Sequence, residues 1–112
     1  MTSNQFRKIA LSFPESVESE HMGHPDYRVG GKIFATLWPD DAWGMVKLTT
    51  AQQLEFTNDH PEIFSPIPGA WGKKGCTRVD LPKASAATLR LAMLSAWLNT
   101  APKPLAESFL NE

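Results

Sequence analysis

Apolar residues return along the first dozen positions at a helical interval. Phe6, Ile9, Ala10 and Phe13 fall at i, i+3, i+4 and i+7 and share one face. Thr2, with Gln5 three residues on, has the spacing of a capping box, and Pro14 stops the helix. The pattern then changes period. Val17 to Met22 alternates with charges, and Asp26 to Val29 leads into Gly30-Gly31, a two-residue hairpin signal. Lys32 to Trp38 is a third extended run. Pro39-Asp40-Asp41 is a turn, and Trp43 to Leu48 is a fourth run. Together these predict an antiparallel meander.

A second helix is predicted from about Thr50 to Asp59, with Thr50 and Gln53 at capping-box spacing and His60-Pro61 as its stop. Ile63 to Gly75, dense in proline and glycine, predicts a loop with room for one short strand. Thr77 to Leu81 alternates as a last strand. Ser85 caps the longest helix, which ends before Pro102 and carries the stripe Ala87, Leu91, Leu94 and Leu98. The tail from Lys103 to Glu112 is read as a short helix or a frayed end. The predicted fold is α+β, an antiparallel sheet with the N- and C-terminal helices packed on one face. Its predicted core is Ile9, Phe13, Ile33, Leu37, Val79, Leu91, Leu94 and Leu98.

Length and composition bound this picture. The 112 residues fit one domain, 1–112, and four Trp and six Phe can supply its core. Cys76 is the sole cysteine, so no internal disulfide is possible. The N-terminal stretch lacks the apolar run of a signal peptide, and no segment approaches the ~20 apolar residues of a membrane span. A cytoplasmic setting without membrane association is therefore expected, with a monomer the favoured state. The formal net charge of −1 argues against a general nucleic-acid coat. The charge is uneven, however. Residues 1–62 hold five Lys/Arg against nine Asp/Glu, and residues 63–112 hold six against three. A basic face is compatible with the near-neutral whole.

HMGHPDYRVGGKIFATL (His21 to Leu37), PGAWGKKGCTRVDL (Pro68 to Leu81) and AWLNTAPKPLAESF in the last helix resemble the MmcQ/YjbR family, in the right order and over nearly the whole chain. Cys76 departs from the pattern, standing where an aromatic residue is expected after the glycine. The resemblance implies a frataxin-like, double-wing α+β fold and DNA as the partner. It brings no catalytic site and no cofactor. Frataxins use an acidic first helix for iron, but NQFRKIALSF has two basic residues and no acid, so an iron role does not transfer.

Gly72-Lys73-Lys74-Gly75 is a GXXG element with two central lysines. In KH domains such a loop joins two helices, whereas here it precedes a strand, so that reading fails on context. The physical point survives, because glycines let a backbone approach closely and lysines neutralise phosphates. Arg78 and Lys83 follow closely, and Trp71 offers a face for a base. The plainer reading is a solvated turn with Trp71 plugging the core. His21, His24 and Asp26 place three potential metal ligands within six residues. Yet histidines three apart on an extended segment face opposite ways unless a turn at Gly23 or Pro25 intervenes, so no metal is expected. Cys76 as a nucleophile needs a base and a lowered pKa. A small buried hydrophobe is the simpler role. Asp40-Asp41 suits a turn, and no Walker A or Rossmann spacing occurs.

Three functions are weighed. The leading one is a non-enzymatic DNA-binding protein that contacts phosphates through Lys32, Lys47, Lys73, Lys74 and Arg78, with Trp71 as a stacking platform. The alternative is a small-ligand or protein-binding module using Trp38, Trp43 and Trp71 on a sheet surface. The third is a metal-dependent activity at His21, His24 and Asp26. A continuous basic face favours the first, and a concave aromatic cavity the second.

Overall fold

A computed structural model describes residues 1–112. Its elements are α1 (Ser3–Leu11), β1 (Val17–His21), β2 (His24–Val29), β3 (Lys32–Leu37), β4 (Trp43–Lys47), α2 (Thr50–Asp59), β5 (Phe64–Pro66), α3 (Ala70–Lys73), β6 (Cys76–Asp80), α4 (Ala86–Thr100) and α5 (Lys103–Leu110). The strands form one antiparallel sheet in the order β1-β2-β3-β4-β6-β5. Helices α1 and α4 pack against each other and against β3, on one face of the sheet. The fold is therefore the predicted α+β arrangement.

Local chemistry explains the element boundaries. Thr2 caps α1 and forms the reciprocal box with Gln5. The box of α2 is one residue earlier than predicted. Thr49 and Gln52 form it, which frees Gln53 to donate to the carbonyls of Gly72 and Cys76 at 3.0 and 3.1 Å. Gly30 and Gly31 both have positive φ, as the two-residue turn between Val29 and Lys32 requires. A Cβ on Gly30 would also stand 2.8 Å from the Pro102 ring, so the turn and the start of α5 demand the same glycine.

The core lies between the sheet and α1/α4. Fully buried Phe6, Tyr27, Val29, Phe34, Val46, Val79, Leu89, Met93 and Trp97 belong to it. Side chains of this size each contribute about 1.5–3 kcal/mol on burial. Trp97 packs against Phe13 and Phe109, and its Nε1–H donates to the Pro14 carbonyl at 3.2 Å. A register shift beside Tyr27 lets Phe34 and Ala35, neighbours in sequence, both be buried.

Four of the expected core positions, Ile9, Phe13, Leu37 and Val79, are buried. The α4 stripe is displaced. Leu89, Ala92, Met93, Ala96 and Trp97 face inward, Ala87 and Leu91 are exposed, and Leu94 and Leu98 are half-buried at the core's margin. Apolar residues surround this helix, so periodicity alone does not choose its inner face. Ile33 is half-buried in a cavity on the sheet's other face.

Candidate functional site

The sheet face opposite α1 and α4 carries the site. Cross-strand partners share a face, so the pairs Lys47–Cys76, Met45–Arg78 and Asp26–Thr36 project together. Met22-Gly23 forms a tight turn that sets His21 opposite His24. The resulting cavity holds about 640 Å³. Ile33, Met45, Ile67, Trp38, Trp43 and Trp71 supply its apolar lining. His21, His24, Arg28, Lys32 and Lys47 supply the polar part.

One wall is a continuous stack. The His24 ring lies 4.1 Å from Trp38, Trp38 lies 4.0 Å from Trp43 at 10°, and the Arg78 guanidinium covers Trp43 at 4.7 Å. Both large faces of Trp38 and of Trp43 are thus taken within the protein. Trp71 differs. It is 65% exposed, and its nearest cation, Lys74, stands 5.8 Å from the ring centre. It does not plug the core but leans from α3 over the cavity's edge.

The expected phosphate-contacting residues divide by position. Lys32 and Lys47 line the aromatic cavity together with Trp71. They also line a smaller polar cavity of about 240 Å³, shared with Lys74. Arg78 caps the indole stack. Lys73 is exposed and lines neither cavity. The GXXG segment is less open than its composition suggests. Residues 70–73 form a single helical turn, and Gly69 and Gly75 flank it with positive φ. Gly72 and Gly75 are buried against the carbonyls of Ile67 and Leu48, which leaves no room for a Cβ.

His21 and His24 are brought together, their rings edge to face at 6.4 Å. The third member of the proposed metal set is taken. Asp26 is fully buried and held by Arg28 through two hydrogen bonds of 2.9 and 3.0 Å. No three His, Cys, Asp or Glu side chains converge as a metal site. Cys76 is buried on the cavity side of β6, and burial raises its thiol pKa against the opposing pull of Lys47 and Lys74. A raised pKa keeps the thiol protonated, unlike an activated nucleophile. Among the residues that line the cavity, His24 Nδ1 and Thr36 Oγ1 are buried atoms with no protein partner. Sequence reasoning singled out neither Thr36, Met45 nor Ile67 for this site. Strand alternation points to the first two, but only the register shows which face is open.

An α+β domain whose antiparallel sheet is covered by helices on one side and holds an aromatic cavity on the other is the class that fold and site define. The chain belongs to the YjbR family, whose model matches residues 11–101. The solved structure of Deinococcus radiodurans protein DR2400, with the family-model domain DUF419, is similar in fold. Its TM-score is 0.75 at 18% identity, covering 92% of this chain and 80% of that one. No curated protein matches the chain.

Proposed function

We propose that the open sheet face binds single-stranded DNA and performs no chemistry on it. The observation that carries this reading is the joining of an apolar, Trp-lined cavity to lysines with no carboxylate in either lining. An unstacked base fits against the free face of Trp71, and stacking on an aromatic ring contributes about 1–3 kcal/mol per base. Lys32, Lys47 and Lys74 neutralise the adjoining phosphates, and Arg78 extends the positive edge. A duplex keeps its bases stacked and offers Trp71 none. The buried Asp26 cancels the charge of Arg28, so Arg28 acts as a wall rather than a phosphate contact.

The test is a salt titration with a short fluorescent single strand. Three or four phosphate contacts give a slope of log K against log salt of about −2 to −3. Binding that is absent, or insensitive to salt, contradicts the proposal. A second reading, a small-ligand module, draws on the concave aromatic cavity itself, the feature that favours it over an extended basic face. A ligand that binds there while single strands do not compete would favour it.

A further inference from the structure

The polar cavity has a construction of its own. Lys32, Lys47 and Lys74 line it with Thr49, Asn99 and Thr100, and it contains no carboxylate. Its walls are tied together. The Asn99 amide donates to the Lys47 carbonyl at 3.3 Å and to Gln52 Oε1 at 2.7 Å, and that oxygen also accepts from the Thr49 backbone at 3.0 Å. The end of β4, the start of α2 and the end of α4 are thereby held in one arrangement. The volume of about 240 Å³ far exceeds the ~10–15 Å³ that a single water requires, enough for a phosphate group with part of its hydration.

We infer that this cavity is a subsite for a terminal phosphomonoester, so that the two joined cavities take one phosphorylated nucleotide unit. The inference rests on the nucleic-acid reading of the aromatic cavity. Lys32 and Lys47 line both cavities and mark where ring and phosphate meet. The charge count decides between an internal and a terminal phosphate. An internal phosphodiester carries one negative charge and two free oxygens. A monoester carries about −1.5 to −2 at pH 7 and three acceptor oxygens. Each ammonium brings three donors and no acceptor. Three lysines lining one small cavity match the dianion better than a single diester, which in a hydroxyl-ended strand leaves part of their charge to neighbouring phosphates. A strand end and a free mononucleotide present the same chemistry.

The experiment compares one single-stranded sequence carrying a 5′-phosphate, a 3′-phosphate or hydroxyl ends, alongside adenosine monophosphate and adenosine. Wild type, Lys74→Gln and Trp71→Ala are titrated with each. One phosphorylated strand is expected to bind about tenfold or more tighter than the hydroxyl-ended strand. Lys74→Gln loses that gain, whereas Trp71→Ala weakens both strands and keeps the ratio. The gain should shrink below pH of about 6, where the phosphate takes its second proton. Equal affinity for all strand ends, with binding still dependent on Trp71, overturns the subsite and leaves the single-strand reading intact. A phosphate gain that survives Lys74→Gln also overturns it. If no strand binds but the monophosphate binds over adenosine through Lys74, the subsite stands and the strand reading falls. If neither binds, both fall.

Discussion

The two faces of the sheet are made from the same strands and behave oppositely. On the covered face Tyr27, Val29, Val46 and Val79 are fully buried beneath α1 and α4. On the open face Trp38, Trp43, Met45 and Ile33 are only half-buried, although they are as apolar. Strand alternation sends neighbouring residues to different surroundings. The first face is filled by the protein's own helices. The second is shaped and rigidified, but not filled. Its indoles are locked into a stack, its one buried carboxylate is neutralised, and its lysines collect at one end. Burial therefore accounts for the fold on one side, and concavity with charge accounts for recognition on the other.

Changes on the covered face should strike stability first. Trp97→Ala removes a buried indole that contacts two other rings, and a loss of about 3–5 kcal/mol is expected in chemical denaturation. A loss similar to that of an exposed residue would refute the placement of the core. Helix α4 sharpens the contrast within one element. Leu89→Ala should cost about 2–5 kcal/mol, and Leu91→Ala, 61% exposed in the wild type, less than about 0.5 kcal/mol. Reversed magnitudes would show that the helix is rotated.

Arg28→Ala is the open-face exception. It leaves the buried Asp26 carboxylate without its partner and should lower stability measurably, by less than breaking a fully buried pair because Arg28 reaches solvent. Arg28→Ala with Asp26→Asn should recover part of that loss. No recovery would mean that the pair is not coupled.

Tyr27 gives a pH signature. Burial, with Glu18 next to it across the strands, raises its phenol pKa. The unfolded chain releases this proton near pH of about 10, while the folded chain retains it. Stability from this group is thus complete below that pH and lost as pH rises through the folded value. Tyr27→Phe should flatten the alkaline fall in thermal stability. A variant with the same fall would assign it to other groups.

The smallest stability effect belongs to the basic segment. Lys73→Ala with Lys74→Ala should change stability by less than about 0.5 kcal/mol and reduce the salt slope of strand binding by about one unit. Lys74→Ala alone should carry most of that change, because Lys73 lines neither cavity. An unchanged slope would remove this segment from the contact surface.

The switch from a 3.6 to a 2.0 period, with turn residues at the junctions, made the element order legible in the sequence. The Thr49/Thr50 error shows a limit. TTAQQ offers two boxes one residue apart, and only contacts of Gln53 with Gly72 and Cys76 choose between them. The α4 face was illegible because apolar residues surround the helix. Lys32, Lys47, Lys74 and Trp71 were visible as chemistry, but their division between two cavities depends on pairing between distant strands. The His24–Trp38–Trp43–Arg78 stack draws on β2, β4, β6 and the turn after β3, so no local window contains it.

The four tryptophans allow the central claim to be tested in one titration. Trp38, Trp43 and Trp71 line the open cavity, and Trp97 lies in the covered core. Each indole N–H gives its own signal in a nitrogen–proton spectrum. Adding a short single strand at low salt should move the Trp71 signal most and the Trp38 and Trp43 signals measurably, while Trp97 stays in place. Saturable binding that leaves all three open-face signals unmoved would contradict the account.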